Sequence, residues 1–313
     1  MKVYHSLDDV KAITNAVITT GTFDGVHVGH QVIIRRLKKL AADIGGETVL
    51  VTFHPHPRRV LYPQTEGRDL MMICSQAEKI AFLEKTGLDH LVILPFTREF
   101  SKITSHSFVE DILIKKLNAR IIVVGFNHHF GHHREGNYKY LYNLGRLYKF
   151  EVEEIPEQDI QNESVSSTRI RKAVTEGNIQ RANAYLDHYY TISGTIQINH
   201  SASGLFDLAI FPCLPDDNTK LMPPDGVYAV SFFHGDQQVR GMLSVQHHAI
   251  VNSFISPATA IEFHPFRNPE GMDNSQVTLR FHKKIRDGFS SVNSADITTQ
   301  LKKDIKTVEE LIF

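Results

Sequence analysis

The sequence predicts an α/β domain built on a parallel sheet, followed by a small β-barrel domain with a terminal helix. In the first half, short β-branched runs alternate with segments whose apolar residues recur at helical spacing, which is typical of parallel sheets covered by helices. After about residue 186, strand-like runs follow one another with turn signals between them, which is typical of a small barrel or sandwich. We therefore place the domains at residues 1–186 and 187–313.

The predicted elements of the first domain alternate strand and helix. The strands are Ala16–Thr20, Thr48–Phe53, His90–Leu94, Arg120–Gly125 and Glu151–Ile155. The helices are Gln31–Ile44, Ser75–Thr86, Ser107–Leu117, Tyr138–Tyr148 and Thr168–Glu176. Gly87 and Gly177 follow two of these helices, and glycine is a common residue at a helix end. In parallel sheets ligands bind at the carboxyl ends of the strands, so we expect the loops after the first four strands to share one edge.

The second domain is predicted to consist mainly of strands. These are Tyr190–Asn199, Gly226–Phe233, Arg240–Val245, Ala260–His264 and Gln276–Lys283. A helix at roughly 294–311 closes the chain. Strands separated by turns indicate an antiparallel structure that closes into a barrel or stacks as a sandwich.

Composition argues against several classes of protein. A formal net charge of −1 over 313 residues provides no positive field for nucleic acid. Cys74 and Cys213 lie far apart and form no CxxC motif, which is typical of a reducing compartment. No apolar run approaches the roughly 18–20 residues that cross a bilayer, and the first residues contain no apolar signal core. We expect a cytoplasmic protein that contacts neither nucleic acid nor membrane.

The stretch Gly21–His30, GTFDGVHVGH, joins the first predicted strand to the first predicted helix. Its small residues let the backbone approach a ligand, and a helix N-terminus attracts phosphate. His27 and His30 share one face there, and each can donate a hydrogen bond to a phosphate oxygen. A lone loop histidine is more often structural, but this pair favours a site that stabilises charge shifting between phosphates.

GTFDGVHVGH resembles the HxGH signature of the nucleotidylyltransferase superfamily. In its longer form, GxFDGxHxGH, it resembles the FMN adenylyltransferase module of the prokaryotic bifunctional riboflavin kinase/FAD synthetases. Three further stretches follow in that family's order: TFHPHP at 52–57, VVGFNHHFGHHREG at 123–136 and VSSTRIR at 165–171. They are similar to the family's TFxPHP, VVGxDxxFGxxRxG and ISSTxIR. The resemblance implies a Rossmann-like domain that transfers AMP from ATP to the phosphate of FMN, forming FAD and pyrophosphate.

The resemblance also implies roles for individual residues. His27, His30 and Arg171 are the expected catalytic residues, with Arg171 on the ATP phosphates. His56 and Pro57 are expected beside the flavin phosphate. The residues expected to bind ATP are Gly21, Thr22, Phe23, Asp24, Gly29, Asn127, Ser167 and Thr168. Mg²⁺ is expected to arrive with ATP, carried mostly by phosphates and water, so we assign no protein metal ligands.

Four clustered histidines raise the question of a metal site. They are His128, His129, His132 and His133. The pattern HHxxHH does not match a standard structural zinc motif, and no cysteine stands near it. The family resemblance accounts for the loop better, as a flap that closes on substrate.

Residues 187–313 resemble the family's riboflavin kinase module, but with one departure. YTISGT at 190–195, PDGVYAV at 224–230 and AIEFHPF at 260–266 fit the module, and Glu262 keeps the position of the kinase's catalytic base. Where the family has GxPTAN, whose Thr and Asn bind Mg-ATP, this chain has GLFDLAIFP at 204–212. Phe, Leu and Ala offer Mg²⁺ no oxygen ligand. We therefore expect kinase activity to be lost or weak, with Glu262 a vestigial base.

Several functions stay open on the sequence alone. The first is an FMN adenylyltransferase, either without kinase activity or as a fully bifunctional enzyme that also takes riboflavin. The second is a nucleotidylyltransferase with another phosphate acceptor, against which TFHPHP and the barrel count. The third is a non-catalytic flavin- or nucleotide-binding paralogue, against which His27, His30 and Arg171 count. An oligomer is compatible with each of them.

Overall fold

The computed structural model describes residues 1–126, 128–160, 163–197, 211–234, 237–247, 250–251, 254–255, 260–266, 274–288 and 294–312. The chain forms two compact units. The first contains Met1–Met71 and Lys79–Ser166, and the second contains Met72–Glu78 and Ser167–Phe313. The domain limits 1–186 and 187–313 stay a prediction.

A parallel sheet forms the centre of the first unit. Its strands are Lys2–Tyr4 (β1), Ala16–Thr20 (β2), Thr48–His54 (β3), His90–Pro95 (β4), Ala119–Gly125 (β5) and Glu151–Ile155 (β6). The six strands lie in the order β1-β4-β3-β2-β5-β6, and every neighbouring pair is parallel. Asp159–Ile160 (β7) and Glu163–Ser164 (β8) form a separate antiparallel pair. The predicted parallel sheet is confirmed, with β1 as an edge strand that the sequence analysis missed.

Helices cover both faces of this sheet, as predicted. In chain order, the α-helices before residue 150 are Val28–Ile44 (α1), Pro57–Leu61 (α2), Gln76–Glu84 (α3), Ser105–Ser107 (α4) and Tyr138–Tyr148 (α5). Of these, α2 was not predicted, and it buries no residue. Neighbouring residues of β2 point to opposite faces, so that Val17 packs in the apolar cluster with α1 while Ile18 packs in the cluster with α5. The sheet is therefore buried on both sides, and polar groups are left to the ends of its strands.

Two helices differ from the prediction in start by three residues or in helix type, while Gln76–Glu84 and Ser167–Thr175 differ by only one or two residues at their ends. α1 begins at Val28 rather than Gln31, because His27 takes the extended cap conformation and its carbonyl accepts a bond from the Gln31 amide at 3.0 Å. The predicted helix Ser107–Leu117 is instead a short α-helical turn, α4, that continues as a π-helix over Phe108–Lys116. Apolar periodicity predicts a helical segment here, but it does not distinguish the i→i+4 hydrogen bonds of an α-helix from the i→i+5 bonds of a π-helix.

A closed antiparallel barrel forms most of the second unit. Its strands are Tyr190–Ile196 (β9), Phe211–Pro215 (β10), Gly226–His234 (β11), Gln237–Gln246 (β12), Ala260–Pro265 (β15) and Gln276–Arg286 (β16). Between β12 and β15, Ile250–Val251 (β13) pairs with Phe254–Ile255 (β14). The barrel closes in the order β10-β15-β12-β11-β16-β9, which confirms a barrel rather than a sandwich. The predicted strand end at residues 198–199 lies outside the described residues.

In the described part of the second unit, the chain also forms the helices Ser167–Thr175 (α6), Ile179–Leu186 (α7) and Ser294–Ile312 (α8). The sequence analysis predicted α6 and α8 but missed α7. Val308 of α8 packs in an apolar cluster with Val227, Ala229 and Met242 of the barrel. No helix in the described parts of the chain has the length and apolar character needed to cross a membrane.

Candidate active site

The loops at the carboxyl edge of the sheet contact one another. Thr20, at the end of β2, has its Oγ1 3.2 Å from Nε2 of His128, which follows β5. Thr52, near the end of β3, donates from its Oγ1 to the carbonyl of Thr22 at 3.2 Å. The predicted convergence of these loops is therefore confirmed.

Aromatic side chains extend this edge on one side. The Phe53 ring lies 5.6 Å from Phe96 and 5.7 Å from Phe100, measured between centroids. Phe108 contacts Phe53 at 6.4 Å and Phe130 at 5.9 Å. The loops after β3, β4 and β5 are thus joined by ring packing, which holds them in place beside the polar edge.

The loop after β2 is a strained turn. Phe23, Gly25 and Val26 all have positive φ, at 48°, 92° and 43°. Only glycine adopts this region freely, and a β-branched residue such as Val26 pays for it in strain. Phe23 and Val26 are buried, so the apolar core around them holds the strained conformation. The sequence analysis expected small residues to let the backbone of this loop approach a ligand. In the structure, the larger residues Phe23 and Val26 also adopt positive φ.

The two histidines of the motif lie against each other. His27 is the residue before α1 and His30 lies in its first turn. Their rings stack with centroids 3.6 Å apart and planes 22° apart. The Phe23 ring also stacks against His30, at 4.4 Å and 25°. The three rings place two imidazoles at the N-terminus of a seventeen-residue helix, where amide N–H groups and the helix dipole attract anions.

The electrostatic surroundings keep His30 neutral. Burial lowers the pKa of His30 well below its ordinary value, and the neighbouring His27 and Lys79 lower it further. The Nδ1 atom of His30 is buried and has no hydrogen-bond partner among the residues that the structure describes. A buried polar atom without a partner is costly unless a ligand satisfies it. His30 is therefore suited to a ligand that brings both negative charge and hydrogen-bonding oxygens.

The histidine cluster after β5 is held by several local contacts. Burial, together with His129, lowers the pKa of His128 to about 4, and its ring stacks on Phe130 at 5.7 Å. His132 has its Nδ1 3.0 Å from the carbonyl of Ser101, and its ring lies 3.8 Å from that of His133. Over the described ranges, no three His, Cys, Asp or Glu side chains are grouped to hold a metal ion. The role of this loop as a flap stays a prediction.

The other predicted residues lie on different elements. His56 caps α2, accepting a bond at its Nδ1 from the Arg58 amide at 3.2 Å, and Pro57 is the first residue of that helix. The backbone of Asp24 follows Phe23 in the strained turn, and its side chain is buried. Ser167, Thr168 and Arg171 lie in the first two turns of α6, in the second unit. Asn127 lies outside the described residues, and the roles of all these residues stay predictions.

The sequence analysis missed Lys79. Its side chain is buried in α3, and its Nζ donates to the carbonyl of Thr22 at 3.2 Å. Helical spacing was the available signal, because it puts Lys79 on the same face as the fully buried Leu83. A lysine on an apolar helix face needs polar partners there.

In the barrel, the predicted vestigial base is half-buried. Glu262 lies on β15, and burial raises the pKa of its carboxyl group. His264, two residues on along the same strand, is buried, which lowers its pKa to about 4. The divergent stretch at 204–210 lies outside the described residues.

Known proteins resemble the chain over nearly its full length. The FAD synthetase family model matches residues 9–169, and the riboflavin kinase family model matches residues 186–312. A bifunctional riboflavin kinase/FMN adenylyltransferase from Listeria monocytogenes is 30% identical over 295 residues, covering 93% of this chain and 90% of the relative. One from Buchnera aphidicola subsp. Schizaphis graminum is 30% identical over 320 residues, covering 99% and 98%.

A solved structure shares the same architecture. A crystal structure described as a macrolide-efflux protein from Streptococcus pneumoniae superimposes with a TM-score of 0.87 and 27% identity, covering 98% of each chain. The two family models match in the same order as the α/β unit and the barrel, and the relatives extend across both. The chain belongs to the bifunctional riboflavin kinase/FMN adenylyltransferase family.

Proposed function

We propose that this chain synthesises FAD by transferring AMP from ATP to the phosphate of FMN. An oxygen of the FMN phosphate attacks the α-phosphorus of ATP, the bond from that phosphorus to the bridging oxygen breaks, and pyrophosphate leaves. The observation that carries the proposal is the stacked His27–His30 pair at the start of α1. Both reactants are polyanions, so the chemistry consists mainly of positioning them and stabilising charge as it shifts.

His30 is suited to that task because it is neutral before substrate binds. Its neutral ring can donate one hydrogen bond to a phosphate oxygen. Negative charge beside the ring then favours a second proton, on the buried Nδ1. The resulting imidazolium can donate from both ring nitrogens, and its charge strengthens each hydrogen bond. The amide N–H groups at the start of α1 bind the same phosphates. Charge that develops on the leaving oxygen therefore meets donors already in place.

The remaining expected ligands act on the two substrates separately. We propose that Arg171 binds ATP phosphate, since a guanidinium presents paired N–H donors, and that Ser167 and Thr168 add hydroxyl and amide donors. His56 and Pro57 are proposed beside the phosphate of FMN. The capping bond to the Arg58 amide fixes the orientation of the His56 ring, which a phosphate ligand requires.

Mg²⁺ fits this site as an ion carried by the nucleotide. In the described ranges no three His, Cys, Asp or Glu side chains form a dedicated set of ligands. Mg²⁺ is commonly held by substrate phosphates and water with one or two carboxylates, so the ATP phosphates would supply most of its ligands here. When bound, the ion neutralises part of the phosphate charge.

We propose that riboflavin kinase activity is weak or lost in the barrel. The support is the stretch GLFDLAIFP, which lacks the hydroxyl and amide ligands of GxPTAN, while Glu262 keeps its carboxylate. The fully bifunctional enzyme is the second candidate, favoured by the riboflavin kinase match over residues 186–312. Incubation with riboflavin and Mg-ATP separates the two. No FMN, or only a trace, is expected, and rapid FMN formation would establish the bifunctional enzyme.

The test of the main proposal is FAD formation from FMN and Mg-ATP, with pyrophosphate measured in parallel. Equal amounts of both products are expected. The His30→Ala variant should lose about 10²–10³-fold in kcat, as for removal of a transition-state donor. Its KM for FMN should change little. His106→Ala, at an exposed histidine, is the control and should keep the parent rate. Binding of FMN and ATP without any FAD would favour the non-catalytic paralogue.

A further inference from the structure

Lys79 occupies an unusual place for a lysine. It is 7% exposed, and Leu83, one turn further along α3, is 0% exposed. Taking an ammonium group out of water costs several kcal/mol unless polar partners receive it. The partners of Lys79 therefore indicate what the chain gains from burying this group.

The partners converge on the strained loop after β2. Lys79 Nζ donates to the carbonyl oxygen of Thr22 at 3.2 Å and lies 3.5 Å from Oγ1 of Thr52. The Thr52 hydroxyl donates to the same Thr22 carbonyl, also at 3.2 Å. Two donors from two different elements thus hold one peptide group of the loop. That peptide group immediately precedes Phe23, which has a φ of 48°.

The same loop carries the ring that supports His30. Phe23 stacks against His30 at 4.4 Å, so the position of the Thr22–Phe23 peptide bears directly on the histidine pair. Besides burial, which is the largest cause, the groups that lower the pKa of His30 are His27, beside it at the start of α1, and Lys79 on α3. Lys79 thus acts on His30 in two ways, through the loop and through its charge.

We propose that Lys79 is a positioning residue for adenylyl transfer, which holds the GTFDG loop through the Thr22 carbonyl and adds positive charge where the ATP phosphates bind. This inference rests on the proposed function. Lys79 is not a catalytic residue, because it acts through Thr22, Phe23 and His30. A purely structural lysine would affect folding alone, whereas this one also contributes, after burial and His27, to the lowered pKa of His30.

The test compares Lys79→Met, which removes the charge, with Lys79→Arg, which keeps it. Lys79→Met should lower kcat/KM for ATP about 10- to 100-fold, the range for a displaced catalytic group. In the plot of kcat/KM against pH, the acid limb of Lys79→Met should move to higher pH. The reason is that loss of the Lys79 charge lets His30 take up a proton more easily. Lys79→Arg should keep the limb in place. Lys39→Met, at an exposed lysine of α1, is the matched control.

A second readout does not depend on activity. The titration of His30 is followed by NMR of isotope-labelled histidine, with the signal assigned from its loss in His30→Asn. An upward shift of the His30 midpoint in Lys79→Met supports the proposal even if the parent protein makes no FAD, in which case only the proposed function fails. An unmoved midpoint with unchanged kcat/KM overturns the proposal. If Lys79→Met does not fold, Lys79→Gln, which keeps a donor without the charge, decides by the same two measurements.

Discussion

A buried ion pair in the second unit allows the most sharply defined prediction. Lys220 Nζ lies 2.7 Å from Oε2 of Glu78, and each side chain is 2% exposed. Glu78 also accepts hydrogen bonds from the amides of Ser75 at 2.9 Å and Ser193 at 2.8 Å. Burial alone would lower the pKa of Lys220, but Tyr190 and Glu78 outweigh it and raise that pKa, so the ammonium keeps its charge. The ammonium group and the carboxyl group that faces it are both largely removed from water.

The perturbation is Lys220→Met, which fills much the same volume and leaves Glu78 buried without its counterion. Removing one partner of a buried pair costs about 3–5 kcal/mol. We expect the lower end, about 3 kcal/mol, because the two amide donors still stabilise the Glu78 carboxylate. For a unit of this size that corresponds to a fall of roughly 6–12 °C in Tm.

Differential scanning calorimetry of the full chain provides the assay. Lys172→Met is the matched control, because Lys172 pairs with Glu176 at 3.8 Å across an exposed surface and should cost about 0–1 kcal/mol. The double variant Lys220→Met/Glu78→Gln removes both charges and should recover at least half of the loss. If Lys220→Met and Lys172→Met melt at the same temperature, the argument from burial is wrong.

Two further predictions concern the histidine pair and the opposite end of the sheet. Gly29→Ala places a Cβ 3.3 Å from Cε1 and Nδ1 of His27, so the ring must shift and kcat for FAD formation should fall about 10- to 100-fold; a parent-like kcat would show that ring position does not matter. Bonds from the Thr14 amide and His90 lower the pKa of Glu47 below 4.5. This stabilisation is present above pH 4.5 and is lost as the pH falls through the lowered pKa, so the Tm difference between parent and Glu47→Gln should shrink there. An unchanged difference on acidification would contradict the assignment.

Local patterns were sufficient for most of the first unit. Strands such as Ala16–Thr20 and Glu151–Ile155 are short apolar or alternating runs, and the structure has them at their predicted limits. Parallel strands also place their carboxyl ends together, so the convergence of the loops at one edge followed from the predicted parallel direction of the strands. These features depend on the spacing of apolar residues along the chain, which can be read from a single sequence.

Other elements needed contacts between distant parts of the chain. β10, Phe211–Pro215, contains two prolines and does not look like a barrel strand, yet it closes the barrel by pairing with both β9 and β15. Proline is tolerated in a strand only where its missing N–H is not needed, and that depends on the neighbours. Met72 likewise pairs with Lys220, almost 150 residues away along the chain.

For the candidate site, the sequence by itself predicted the two residues that we propose for the chemistry, His27 and His30 at the start of a helix, with Gly29 next to His30. Only the tertiary structure decided their state. The rings stack at 3.6 Å, and burial, His27 and Lys79 together lower the pKa of His30 well below its ordinary value. The physical reason is that a side chain's charge depends on the solvent and charges around it, and those come from elements far apart in the sequence.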